Sequence, residues 1–347
     1  MRMSLLLNTL YVQTDGSILR LDHDSVVVTK EKETLLQIPL LHVSSIVGIG
    51  RVSFTSPLLE RCAKEGRSIV KMNGQGRFLY RLEGAKSGNV LLRTAQYQTL
   101  TQPSRSTPIV QAIVAGKIYN SRQALLRSSR DSKRPDSQSA MRDVVDDMAR
   151  DLRRLDGMND INVLRGIEGI NAKRYFSVFE HQFSTISQGF AKFEKRTRRP
   201  PRDPINCMLS FLYALLTTDA MSAIESVGLD PQIGFLHTLR PGRPSLALDL
   251  MEEFRPILAD RIAVTLVNRK QIGPEHFEML PGGAVSMTDK GRKIVIGAFQ
   301  GRKKDEITHP LLQKKVPIGQ IPLIQARLLA RSIRRDYIEY TPIFHKA

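Results

Sequence analysis

The hydrophobic period of this chain changes once, and that change limits what it can fold into. Up to about residue 85, apolar residues come in short β-branched runs broken by turn residues such as Asp15-Gly16. SLLLNTLYV, SILRLD, SVVVTK, ETLLQIPL, HVSSIVGIG, SIVKMN and RFLYRLE read as strands, with one helix at SPLLERCAKEG. From Asn89 onward the spacing is helical. In SQSAMRDVVDDMARDLRRLDG, Met141, Val144, Val145, Met148, Leu152 and Leu155 share one face and Gly157 closes the helix. The class predicted is α+β: a small β-rich, sandwich-like domain over residues 1–90, then a larger, mostly α-helical domain over 91–347. Residues 101–108, TQPSRSTP, read as a hinge or interhelical loop and SSRDSKRPDSQ as a polar surface loop. PGGAVSMTDKGRKIVIGAFQGRKK reads as a small hairpin or a mobile loop.

A length of 347 residues with 41% hydrophobic content supplies two cores. The two cysteines, Cys62 and Cys207, stand in no CxxC or CxxH arrangement, so a zinc site or disulfide framework is not expected and a reducing, cytoplasmic setting is. The start lacks a long apolar segment with a cleavage site, and CMLSFLYALL is too short to span a bilayer, so no membrane is expected. Lys and Arg total 52 against 34 acids, a net charge of +18, which suits a polyphosphate partner. Residues 1–100 hold 13 basic and 8 acidic side chains, so most of the excess lies beyond them. AKFEKRTRRPPRD gathers Lys192, Lys195, Arg196, Arg198, Arg199 and Arg202, and the last helix aligns Arg327, Arg331, Arg334 and Arg335. Such runs also serve as solvated surface or as membrane-binding faces; arginine spread over several segments favours DNA.

Three distant segments carry metal-competent side chains. In NVLRGIEGINAKRYF, a helical reading puts Glu168 on one face with Leu164, Asn171, Ala172 and Tyr175, so its charge needs a cation. IGFLHTLRPGRPS carries His237 in a Gly/Pro-rich loop. In SLALDLMEEFRP, Leu250, Phe254, Ile257 and Leu258 form a core stripe, while Asp249, Glu252 and Glu253 form an acidic patch whose like charges repel. A divalent metal relieves that repulsion, and one imidazole with two carboxylates suits Mn2+ or Mg2+. Taken singly, each has an ordinary structural explanation.

What joins the three is resemblance. These segments, with LLNTLYV, SGNVLLRTAQY, RPPRDPINCMLSFLYALL and IPLIQARLLARSIRRDYIEYTPI, resemble in the same order the CRISPR-associated integrase family called Cas-one, in its subtype I-C-like form. The resemblance implies a metal held by Glu168, His237 and Glu252, with Asp249 an accessory acid that shares or swaps the third role. It implies a metal-dependent DNA endonuclease and integrase that inserts spacers into a CRISPR array, acting on double-stranded or branched DNA and prespacer ends. It also implies a homodimer built through the β domains and a small adaptation partner protein. Tyr213 lies in an apolar helix and reads as a supporting residue with its hydroxyl hydrogen-bonded. Asn206 and Lys173 read as phosphate contacts or as polar cap and surface residues. A second reading is a non-catalytic basic DNA-binding scaffold, with the acidic patch paired to Arg240, Arg243 or Arg255. A small-phosphoester hydrolase is disfavoured, since no GxxxxGK loop is present.

Overall fold

The computed structural model describes residues 9–84, 89–184, 190, 192–336 and 339–345. The first half of the expected opening strand, Ser4 to Asn8, lies outside the described residues, as do Ser87, Gly88, Ala191, Tyr337 and Ile338. The chain forms two compact units, Met1–Gly88 and Asn89–Ala347.

The first unit is built from two four-stranded sheets. Strands β1 (Thr9–Val12), β5 (Ser45–Ile49), β7 (Ser68–Met72) and β8 (Phe78–Leu82) lie side by side in that order, parallel except for β8. The other sheet runs β4 (Glu33–Pro39), β3 (Ser25–Lys30), β2 (Ile18–Asp22), β6 (Ser53–Phe54). Val12, Ile46 and Ile69 from one sheet share a core with Leu19, Val26 and Val28 from the other, closed by Leu58 and Cys62 of helix α1 (Ser56–Lys64). This is the sandwich-like arrangement expected of the short β-rich runs. The two-residue β6 carries too little periodicity to be read from sequence.

The second unit is mostly helical. Helices α2 (Val90–Thr101) and α3 (Pro103–Asp131) are separated only by Gln102, so the expected loop at 101–108 is instead a helix start. Pro103 occupies the first helical position, where its missing N–H has no intrahelical partner, and α3 continues through Pro108 in the next turn. The polar loop expected at SSRDSKRPDSQ shrinks to Ser132, Lys133 and Arg134, because Pro135 starts α4 (Pro135–Arg154). Helix α5 (Ile161–Ser177) starts at Asp160, whose side chain accepts the Asn162 N–H at 2.8 Å.

Helix α6 (Pro204–Ser226) is 23 residues long and, by length and composition, apolar enough to cross a membrane, so the argument from the short CMLSFLYALL run does not hold. Its Leu209, Leu212, Leu215 and Leu216 are fully buried, and it packs against α7 (Ser245–Met251), α10 (Ile321–Arg334) and a π-helical segment, Arg255–Asp260. That segment leads into α8 (Arg261–Asn268). The region read as one hairpin or mobile loop divides in two. Only its beginning pairs, as β10 (Ala284–Met287) with β9 (Phe277–Leu280); Thr288 then caps α9 (Asp289–Lys303). A second hairpin, β11 (Glu306–His309) with β12 (Lys314–Pro317), precedes α10.

Candidate functional site

Asp249 organises the loop that presents His237. It is fully buried, and both of its oxygens are occupied. Oδ2 accepts the N–H groups of Phe235 (2.6 Å) and Leu236 (2.9 Å); Oδ1 accepts the His237 N–H (2.9 Å) and its ring Nδ1 (2.7 Å). A carboxylate only accepts, so Nδ1 carries a proton, and in the neutral form of the ring the lone pair is on Nε2. Nε2 lies 3.8 Å from Glu252 Oε1. The loop comes this close because residue 234 is glycine: a Cβ there would stand 2.6 Å from the Ser245 carbonyl carbon and 2.7 Å from Asp249 Oδ2. Arg165 of α5 ties the loop to the helix that carries Glu168, its Nε donating to the Leu236 carbonyl (2.6 Å) and its Nη2 to that of Phe235 (3.3 Å).

Glu252, just past α7, is 2% exposed and meets three cationic or ring nitrogens. Oε1 pairs with Arg255 Nη2 at 3.1 Å, and Oε2 with Lys117 Nζ at 2.6 Å. The same Lys117 ammonium pairs with Glu168 Oε1. Burial alone would push the Glu252 carboxyl up, but Arg255, Lys117 and His237 together hold it well below the usual carboxylate range. Lys117 reaches this point because α3 runs tight against the turn at 252–253. A Cβ on its neighbour Gly116 would come within 2.7 Å of Pro342 Cβ and 3.3 Å of Glu253 Cβ.

The expectation that Asp249, Glu252 and Glu253 form one acidic patch fails. Glu253 points away from the other two, into a buried pocket of its own, where Gln325 Nε2 (3.2 Å), the Ile343 N–H (2.6 Å) and the Tyr340 hydroxyl donate to it. The helical periodicity assumed for the patch ends at Met251, where α7 gives way to a turn and the π-helical segment. Glu168 needs a cation, as its helix face implies, and among the described residues Lys117 supplies it. Lys117, Arg165 and Gly234 escape sequence reasoning, since no spacing links them to the motifs.

Tyr213 donates its hydroxyl to Asp260 Oδ1 at 2.6 Å, as expected for a supporting residue, and its ring is covered by the Arg255 (4.7 Å) and Arg196 (5.3 Å) guanidinium groups. Burial pushes its phenol well above the ordinary value, so it makes a poor nucleophile. Arg196 turns its guanidinium inward, to Asn206 Oδ1 (2.6 Å) and Ser210 Oγ (3.0 Å). Asn206 is fully buried in the first turn of α6: Asp203, the N-cap, accepts its backbone N–H (2.8 Å), while its side chain accepts from the Thr197 N–H (2.9 Å) and donates to the Lys195 carbonyl (2.8 Å). Lys195, Arg198, Arg199, Arg327 and Arg331 are exposed. The C-terminal basic stripe is one residue shorter than expected, because Arg335 ends α10 in the left-handed region, φ 67°.

Among the described residues no three His, Cys, Asp or Glu side chains already form a metal cage. The donor set nonetheless fits a divalent ion: two carboxylates from α5 and the end of α7 touch one common nitrogen, and an imidazole of fixed tautomer turns its free nitrogen toward one of them.

The family profile described as "CRISPR associated protein Cas1" matches residues 10–301. A protein of Moorella thermoacetica named "CRISPR-associated endonuclease Cas1 1" is 49% identical over 344 residues, which is 99% of this chain and 100% of that one. A Rhodospirillum rubrum protein named "CRISPR-associated endonuclease Cas1 2" is 47% identical over 99% of this chain and all of its own. The chain belongs to the Cas1 family. In solved structures the fold recurs in a CAS1 protein from Thermotoga maritima (TM-score 0.78, 23% identity, 94% of this chain and 97% of that one). It recurs also in a Cas6-RT-Cas1–Cas2 complex (TM-score 0.83, 22% identity), covering all of this chain and 37% of the other.

Proposed function

We propose that this chain is a metal-dependent DNA endonuclease and integrase of CRISPR adaptation, of the I-C-like subtype, with Mn2+ or Mg2+ held by Glu168, His237 and Glu252. The observation that carries the reading is the pair of carboxylates focused on a single cation position beside His237 Nε2, in a chain of net charge +18. A bound divalent ion supplies Lewis acidity and makes a nearby water or 3′-hydroxyl more acidic. Glu168 and Glu252 give it oxygen ligands and His237 a nitrogen, which manganese tolerates better than magnesium. Asp249 fixes the ring and the loop, and Arg165 sets that loop against α5. Arg255 braces Glu252, and the Tyr213 ring lies against that guanidinium. Lys195, Arg198, Arg199, Arg327 and Arg331 meet DNA phosphates. Water as nucleophile gives nicking; a DNA 3′ end gives strand transfer.

Residues 1–90 serve dimerisation and 91–347 the chemistry. β4 and β8 end their sheets and expose Leu35 and Leu36, and Phe78, Leu79 and Tyr80, a pattern suited to covering by a second copy. A small adaptation partner of the Cas2 kind joins the dimers, and the assembly works on prespacer ends in the cytoplasm. Cleavage and strand-transfer assays with and without Mn2+ test the reading: Glu168→Ala, His237→Ala and Glu252→Ala lose both activities and keep DNA binding. Unchanged activity in His237→Ala overturns it.

The Arg255–Glu252 pair favours a second reading, a non-catalytic DNA-binding scaffold whose acids serve only as ion-pair partners. Activity retained in Glu168→Ala supports that one.

A further inference from the structure

Lys117 stands where a divalent ion would be needed. Its side chain is 12% exposed, and its ammonium bridges Glu168 Oε1 and Glu252 Oε2, the latter at 2.6 Å. These two carboxylates come from different elements, α5 and the end of α7, and in the folded chain they meet through this one nitrogen. An ammonium and a divalent cation compete for the same pair of oxygens: each oxygen has a second lone pair, but two positive charges held that close repel in a poorly screened site. Arg255 already stands on Glu252 Oε1, so a metal ion added beside an unmoved Lys117 would face two fixed positive charges within one carboxylate's reach.

We infer that Lys117 is a built-in counter-cation that holds Glu168 and Glu252 together in the metal-free chain and is displaced when metal binds. This deepens the metal reading above and rests on it. The lysine has two opposed effects. It removes the repulsion that would otherwise splay two buried carboxylates, so it stabilises the empty site. It also competes with the metal, so it lowers affinity and keeps the site closed until metal concentration, or the charge of bound DNA, tips the balance. A flexible stem with a single ammonium is suited to leaving; a guanidinium fork, which grips two carboxylates at once, is not.

The test is Mn2+ binding to the full chain without DNA, read as free Mn2+ by electron paramagnetic resonance, together with the melting temperature of the metal-free protein. Lys117→Met, similar in length and uncharged, should bind Mn2+ at least tenfold more tightly than wild type and melt lower without metal, with Mn2+ restoring the loss. Lys117→Arg keeps the charge and should fold even if Lys117→Met does not; it should bind Mn2+ at least tenfold more weakly than wild type. A lysine that merely arranges the ligands gives the opposite sign for Lys117→Met, weaker binding, and that result overturns the inference, as does Mn2+ affinity unchanged in both variants. Glu168→Gln separates the two levels. If wild type shows no saturable Mn2+ binding that Glu168→Gln removes, the metal reading itself fails and the inference falls with it; if that binding is present and the lysine variants do not move it as stated, the inference fails alone.

Discussion

Replacing Asp249 by Asn preserves its shape and removes its charge, and the geometry fixes what that does. The four donors on Asp249 divide evenly, two per oxygen, so whichever way the amide turns, its NH2 faces two N–H groups. Two charge-assisted bonds are lost, and at 0% exposure no water replaces them. At about 1.5 to 3 kcal/mol per bond, the cost is about 3 to 6 kcal/mol, at the top of what single substitutions produce. If the amide presents its NH2 to Oδ1's partners, the His237 ring also loses the acceptor that fixes its tautomer, and metal affinity should fall about 10- to 100-fold, the usual effect of removing a ligand's orienting partner. Urea unfolding of Asp249→Asn and wild type gives the first number, and Mn2+ titration calorimetry the second. A stability change under about 1 kcal/mol with unchanged metal affinity would refute the reasoning, because some other group would then be holding residues 235–237.

Burial pushes the Glu253 carboxyl up to about 8. A folded value above the unfolded one means that this group's contribution is fully present below about pH 4.5 and is lost as pH rises to about 8; Glu253→Gln should therefore flatten the decline in urea midpoint between pH 5 and pH 8, and an unaltered decline counts against it. Reversing Arg198 and Arg199 to Glu should reduce the slope of log K against log salt for DNA binding by about 2 or more, whereas Arg196→Ala, whose guanidinium faces inward, should lower stability and leave the slope nearly as it was. A fragment beginning near residue 90 should remain folded and monomeric by light scattering while the full chain is a dimer; a dimeric fragment would move the subunit contact to the helical unit.

Much of this was legible because local pattern and tertiary demand agree. The switch of period near Asn89 separates sheets from helices, and the buried Met141, Val145 and Met148 of α4 lie where the spacing put them. That Glu168, His237, Asp249 and Glu252 belong together could be read from the family resemblance, though from no spacing in the chain. Their division of labour could not. Asp249 and Glu252 are one turn apart and chemically alike, and only the chain folding back at 233–237 occupies the first with backbone donors and leaves the second to Lys117 and Arg255. Glu253 left the patch because α7 ends at Met251 and residues 252–254 form a turn, which breaks the assumed periodicity. Lys117 was invisible: one lysine in a long helix, 51 residues before its partner Glu168, has no sequence signature. Pro103 and Pro135 misled, since a proline ends one helix as readily as it starts the next.

The central claim is that Glu168, His237 and Glu252 hold one divalent ion while Asp249 stands behind His237. Anomalous diffraction at the manganese edge from a Mn2+-soaked crystal tests it most directly. The account predicts one strong peak in contact with carboxylate oxygens of Glu168 and Glu252 and with His237 Nε2, and with Asp249 still bonded to the 235–237 loop. A peak bound by Asp249 in place of Glu252, or no peak at these residues in a crystal whose protein cleaves DNA with Mn2+, would contradict it.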